Sequence, residues 1–215
     1  MWLLYEFLAF RLNHGFQGQF RTGLDFLLKG FMVRMNVPPV LSVVSFGIIC
    51  AAVVMYRMRR TARQQIRAVY FGLMVLESVF YAACLGVAVN WMTVPFLNAT
   101  LRHTNEYNVT EFVIGLGSGV YEELVFRLLF ISIIALSLRR FVRNSRLLVY
   151  AIAVLVSSLT FALFHYLTVF TDSFRASLFA FRFGAGVVFS ALFLLRGYGI
   201  AAYTHSLYNV FLLFR

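Results

Sequence analysis

The sequence lacks charge. Only 8 of its 215 residues are acidic, and charged residues of both signs make up 13% of the chain, about half the share of a typical soluble domain. Cysteine is nearly missing: Cys50 and Cys84 lie inside apolar runs, without Cys-x-x-Cys or any other ligand spacing. That excludes a cysteine-built metal centre, and the two thiols read as small buried hydrophobes. No His-Glu-x-x-His element exists, so no single helix offers the zinc-protease ligand pair. Met1 to Phe10 is apolar, but it is short, contains Glu6 and has neither a basic leader nor a small-residue cleavage site, so it does not read as a secretory signal. Internal repeats, low-complexity tracts and long linkers are also missing, which favours one continuous bundle.

Apolar residues fill the space that charge leaves. They make up 61% of the chain, in runs far longer than barrel strands, and this composition predicts an all-α, polytopic membrane protein. The net charge of +11 comes from basic residues placed mostly between apolar runs. Membrane topology and anionic lipid head groups account for them, and a nucleic-acid partner is not expected.

About six transmembrane helices are expected, preceded by an N-terminal region. Residues 1–36 mix Phe and Leu with Arg11, Arg21, Lys29 and Arg34 and offer no uninterrupted apolar run of about 20 residues. Amphipathic helices lying in the interface are expected there. Pro38-Pro39 then punctuates the chain, and residues 37–215 form the bundle. The spans are expected near 40–58, 68–97, 112–138, 147–170, 176–195 and from Ile200 almost to the end. Basic loops carrying Arg57 to Arg67 and Arg139 to Arg146 are separated by two spans and therefore share a side, the cytoplasmic one. The loop 98–110 faces the opposite side and carries two glycosylation sequons, at Asn98 and Asn108. Trp91 and Pro95 suit an interfacial belt, and Gly115-x-x-x-Gly119 and Ala180-x-x-x-Gly184 suit close helix packing.

The polar residues inside these spans are few. Glu122, Glu123 and Arg127 fall within six positions of the third span, where each charge costs about 2.5–3.5 kcal/mol on insertion scales. Glu123 and Arg127 are one helical turn apart and can pair; Glu122 points about 100 degrees away and is free to face another helix. His165 lies in the fourth span, and His205 and Asn209 share a face of the sixth. A lone histidine on an apolar face is more often structural than catalytic. Polar groups on three helices in lipid must find one another, however. A carboxylate, two imidazoles and an amide in one cavity can deprotonate water and stabilise an oxyanion. Glu77 and Arg182 are the other intramembrane charges, expected as a structural ion pair or with Arg182 snorkelling to an interface.

Three motifs carry a family resemblance. Glu122-Glu123-Leu-Val-Phe-Arg127, Phe161-Ala-Leu-Phe-His165 and His205-Ser-Leu-Tyr-Asn209 resemble the Glu-Glu-x-x-x-Arg, Phe-x-x-x-His and His-x-x-x-Asn motifs of the CAAX-protease and bacteriocin-processing family. They occur in the family's order, with Gly184, Gly186 and the turn Gly197 to Gly199 between the second and third. The resemblance implies an intramembrane endopeptidase with a catalytic core at about 112–215. It implies that Glu122 and His165 activate the attacking water, that His205 and Asn209 bind the oxyanion, and that Arg127 orients the glutamates, with Glu123 in support. A glutamate mechanism without a cofactor is expected; two histidines and a glutamate could instead hold zinc. The implied partners are the lipid bilayer and a membrane-anchored or lipidated peptide substrate. The implied location is a bacterial inner membrane, with a eukaryotic endomembrane as the alternative. The rival function is a non-proteolytic family member serving bacteriocin self-immunity or acting as a scaffold. Four convergent polar groups argue against that rival, since binding alone does not need them all.

Overall fold

A computed structural model describes residues 1–16, 18, 20–60, 68–97, 109–142, 145–167 and 174–213, and these are helical apart from short turns. Two short helices come first, α1 (Trp2–Asn13) and α2 (Gly23–Arg34). Four longer segments follow: α3 (Val40–Arg60), α4 (Ala68–Leu97), α5 (Val109–Glu122) and a π-helical stretch (Glu123–Ile131) that runs on without a break into α6 (Ser132–Arg139). The last three are α7 (Arg146–Leu167), α8 (Ala176–Arg196) and α9 (Tyr198–Leu213). The expected sequons, Arg63, Arg67 and Arg143 lie outside the described residues, as do the side chains of Trp91 and Pro95.

The protein is a helical membrane protein. Among the described residues three helices are long and apolar enough to cross a bilayer: Val69–Ala88, Arg146–Tyr166 and Ala176–Arg196. Their outer faces are apolar, with Phe80 and Leu195 widely exposed, as expected where lipid and not water is the solvent. Val40–Ile49 is a shorter apolar stretch. The other two expected spans are not among these three, the first because of its charge and not its length, the second because it is short. Residues 109–139 form one continuous rod, but it carries Glu111, Glu122, Glu123 and Arg127; α9 has only 16 residues.

The rod containing α5 is the axis of the fold, and glycine makes it so. A Cβ on Gly119 would lie 2.2 Å from Ser206 Oγ and 2.4 Å from the Ser206 backbone nitrogen of α9. On the opposite face, a Cβ on Gly117 would lie 2.2 Å from the Tyr5 ring of α1. Neighbouring helices therefore touch the α5 backbone itself from two sides, which only glycine allows. Ser206 Oγ donates to the Leu116 carbonyl at 2.9 Å and fixes the α5–α9 register. Of the two small-residue patterns in the sequence, Gly115-x-x-x-Gly119 is used and Ala180-x-x-x-Gly184 is not. Gly184 faces open space, and the tight contact of α8 falls at Gly186, whose Cβ would lie 2.9 Å from Ser158 Cβ of α7.

Three expectations about polar residues change. Glu77 pairs not with Arg182 but with Arg196, at the end of α8, through bonds of 2.5 and 2.6 Å. The guanidinium of Arg182 lies over the Tyr166 ring, 5.1 Å from its centroid. Cys84 is exposed on α4, not buried. Residues 1–34 also hold buried charge that hydropathy did not reveal. Glu6 accepts from Arg21 Nη1 at 3.1 Å and from Lys29 Nζ at 2.9 Å. Asp25 accepts from Arg21 at 2.6 Å and lies 2.7 Å from Lys29 Nζ. Two acids and two bases make a neutral square with side chains no more than 6% exposed. The Tyr5 hydroxyl donates to Asp25 at 2.7 Å, and burial, reinforced by that carboxylate, pushes its pKa up. The Tyr121 hydroxyl of α5 donates to Glu6 Oε1, which ties the square to the axis.

Gly119→Ala is expected to lower the melting temperature of the detergent-solubilised protein by several degrees, the size of effect that overpacking costs of about 1–3 kcal/mol produce. Gly184→Ala, made in open space, should leave it unchanged. Equal shifts for the two variants would contradict the packing described here.

Candidate active site

The site forms where the α-helical part of the central rod ends. Glu122 closes α5, and Glu123 opens the π-helical stretch. A π-helix bonds i to i+5, so its wider turn sets side chains at angles an α-helix does not reach, and such stretches recur at functional sites. The Phe126 carbonyl within it accepts a short hydrogen bond from Ser157 Oγ of α7. That bond supplies the backbone with a partner from a neighbouring helix, as lipid requires.

His205 of α9 is held between the two glutamates. Its Nδ1 lies 2.8 Å from Glu123 Oε1, and its Nε2 lies 3.9 Å from Glu122 Oε2. Glu123 is an acceptor, so Nδ1 carries the proton in the first contact. The ring stacks on Phe189 of α8, with centroids 4.4 Å apart and planes 16° from parallel. A hydrogen bond at one nitrogen and an aromatic face along the ring leave the imidazole little freedom. All three side chains are buried, Glu123 completely.

Glu123 also meets Arg127, at 3.2 Å. The spacing of the two residues predicts that pair, but not its character. Arg127 Nη1, Nη2 and Nε make no hydrogen bond among the described residues, although the residue is fully buried. The contact with Glu123 is therefore coulombic, and the remaining support for the cation is aromatic. The guanidinium carbon lies 4.3 Å from the Phe161 centroid and 5.7 Å from that of Phe189. Cation–π attraction of this kind is worth about 2 kcal/mol or more once desolvated. Phe161, the first residue of the second motif, thus contacts three members of the site: Arg127, His165 at 4.8 Å and His205 at 6.3 Å between centroids.

His165 of α7 is partly buried, and its Nδ1 lies 2.9 Å from the Phe161 carbonyl. A carbonyl only accepts, so that nitrogen carries the proton and Nε2 of the neutral ring is left as an acceptor. No direct hydrogen bond joins His165 to either glutamate among the described residues; Phe161 lies between the two histidines. Asn209 is one turn beyond His205 on α9. Its amide nitrogen donates to Ser118 Oγ at 2.6 Å and to the Gly115 carbonyl at 3.3 Å. The structure therefore gathers Glu122, Glu123, Arg127 and His205 in direct contact, joins His165 to them through Phe161, and turns the Asn209 amide toward α5.

Sequence reasoning missed Phe189, whose motif-free helix gave no signal, and Ser118, an ordinary small residue on a helix face. It also missed that Glu123 serves His205 as well as Arg127. Among the described residues no three His, Cys, Asp or Glu side chains converge on a point that could hold a metal ion. Nδ1 of His205 and of His165 is engaged by Glu123 and by the Phe161 carbonyl, which leaves Nε2 as the ring nitrogen a metal could take. With no third converging ligand among the described residues, no chemical step is routed through a metal.

This is a helical membrane protein with an intramembrane carboxylate–imidazole site, whose parts come from the central rod, α7, α8 and α9. Residues 106–211, just under half of the chain, match the family described as Type II CAAX prenyl endopeptidase Rce1-like, which supports a membrane protease at family level. No curated protein and no solved structure matches the chain.

The buried Glu123–Arg127 contact makes a stability prediction. Arg127→Leu alone leaves Glu123 buried beside His205 without its cation, and is expected to cost about 3–5 kcal/mol, as breaking one side of a buried pair does. Adding Glu123→Leu should recover much of that loss in denaturant titrations of the detergent-solubilised protein. A double variant no more stable than the single one would contradict the pairing.

Proposed function

We propose that this protein is an intramembrane endopeptidase that hydrolyses a peptide bond of a membrane-anchored or lipidated substrate with an activated water. The observation that carries the reading is the placement of His205, with one nitrogen fixed by Glu123 and the other turned toward Glu122. A carboxylate that orients a histidine and a second carboxylate with unused acceptor capacity make a division of labour that catalysis needs and packing does not.

Glu122 is the base. It is buried but hydrogen-bonded to no other described side chain, so its oxygens are available to a water molecule. His165 shares the task through its free Nε2, the acceptor that the Phe161 carbonyl leaves exposed. The water oxygen attacks the carbonyl carbon of the scissile bond while its proton moves to Glu122. The carbonyl oxygen becomes an oxyanion. His205 acts as an imidazolium, keeping Nδ1–H on Glu123 and donating to the oxyanion from Nε2; Asn209 contributes its amide by exchanging Ser118 for the substrate oxygen. The carbon–nitrogen bond then breaks, and the proton held by Glu122 passes to the leaving amine. Arg127 acts at one remove by balancing the charge of Glu123, which fixes His205. The substrate is expected to bring its own lipid or transmembrane anchor, since the base lies within the bundle and not on a water-facing surface.

Glu122→Gln keeps the shape of the side chain and removes the base. It is expected to lower the single-turnover rate on a membrane-anchored peptide substrate by about 10²–10⁴-fold, the range that general bases contribute, while the protein remains folded by gel filtration and thermal melting. Cleavage by the folded variant at the normal rate would overturn the proposal. The mechanism also needs no metal. Elemental analysis of purified, active protein should find no stoichiometric zinc; one zinc per active site, removed together with activity by chelation, would contradict it.

A further inference from the structure

Residues 1–34 carry their polarity inside out. Leu3, Leu4 and Phe7 of α1 and Leu27, Leu28 and Phe31 of α2 are exposed, Leu3 by 71% and Phe7 by 62%. Glu6, Arg21, Asp25 and Lys29 are buried against one another. The only exposed charged residues on the two helices are Arg11 and Arg34, each in the last turn of its helix. An amphipathic helix lying on a membrane does the reverse: it sinks its apolar face and turns its charges to water and head groups.

The depth at which the pair docks points the same way. Its attachment, Tyr121, lies near the middle of the continuous rod formed by residues 109–139. At 1.5 Å per residue it is roughly 18 Å from one end and about 27 Å from the other. With a hydrocarbon core of about 30 Å, the middle of a rod that crosses the bilayer lies at acyl-chain depth whichever end faces the cytoplasm. The start of α1 packs on other bundle helices as well. The Trp2 ring meets Phe46 of α3 at 4.6 Å, and the Met1 amino group reaches the Tyr203 hydroxyl of α9 at 3.4 Å.

We infer that α1 and α2 are inserted among the acyl chains of the bilayer, docked on α5 through the neutral charge square, with lipid tails covering their outer face. Each helix has 12 residues, about 18 Å of length, too short to cross, so the pair enters the membrane without spanning it. This explains the balance of the square. Four buried charges that sum to zero and carry hydrogen bonds from Tyr5 and Tyr121 can be placed in lipid; an unpaired one cannot. It also explains where the exposed arginines fall, since long basic side chains at helix ends reach toward head groups. The inference replaces the expected interfacial location of this region, and it does not depend on the catalytic reading.

Spin labels on the outer face test it. Phe7→Cys and Leu28→Cys are made in a background with Cys50 and Cys84 changed to Ser, labelled, and reconstituted into vesicles of phosphatidylcholine and phosphatidylglycerol. Collisions with oxygen should exceed those with a water-soluble nickel chelate several-fold at both sites, as at a Phe80→Cys control on the lipid face of α4. Preferential collision with the nickel chelate would place the pair in water or head groups and overturn the inference. Protection from both reagents would show a protein partner on this face and overturn it equally. Phe31→Cys supplies a further outer-face site if either variant fails to fold.

Discussion

The structure depends on where the Glu123 carboxylate is fixed. Glu123 is fully buried in a membrane helix, which is costly, and it is kept there by Arg127 at 3.2 Å and by His205 Nδ1 at 2.8 Å. Those two contacts tie the π-helical stretch to α9. They also bring α7 and α8 into the same cluster, because the cation of Arg127 rests between Phe161 and Phe189. A charge in lipid needs neighbours from every side, and the neighbours that satisfy this one are the residues that make the site.

The central rod achieves this by being thin. Gly115 and Gly119 let α9 approach until side chains hydrogen-bond to the α5 backbone, and Gly117 lets the Tyr5 ring of α1 close on the other face. Both neighbours then act on adjacent residues. His205 closes on Glu122 and Glu123 from one side, while the Tyr121 hydroxyl engages the charge square from the other. The stretch Tyr121-Glu122-Glu123 is thus clamped between two polar clusters, one neutral and structural, the other open to chemistry. The two neighbouring glutamates diverge along the helix and face different nitrogens of the same imidazole, Glu123 at Nδ1 and Glu122 at Nε2.

Much of this was legible in the sequence, and the parts that were not share a cause. Helix content, the polar residues within apolar runs and the Glu123–Arg127 pair follow from composition and helical spacing, which are local. The ordered motifs pointed to Glu122, His165, His205 and Asn209 as one group. Spacing could not show that Asn209 would face Ser118, that Arg196 and not Arg182 would meet Glu77, or that Phe189 would carry the His205 ring. Each of these is a contact between helices whose rotation about their own axes is set by packing. The buried charges of the N-terminal region were hidden for a related reason. Arg21 and Lys29 look like surface charges when taken alone; only Glu6 and Asp25, brought within 3.1 Å by the fold, turn them into buried ones. The π-helical stretch leaves no signature in composition.

The central claim is that Glu122 activates water and does not itself attack the substrate. The most direct measurement is single-turnover cleavage in water enriched in oxygen-18, followed by mass spectrometry of the product and of the enzyme peptide that contains Glu122. Direct attack by water predicts one heavy oxygen in the new product carboxylate and none in the Glu122 side chain. Label in the Glu122 carboxylate would reveal a covalent acyl-enzyme formed on that residue, and would contradict the account.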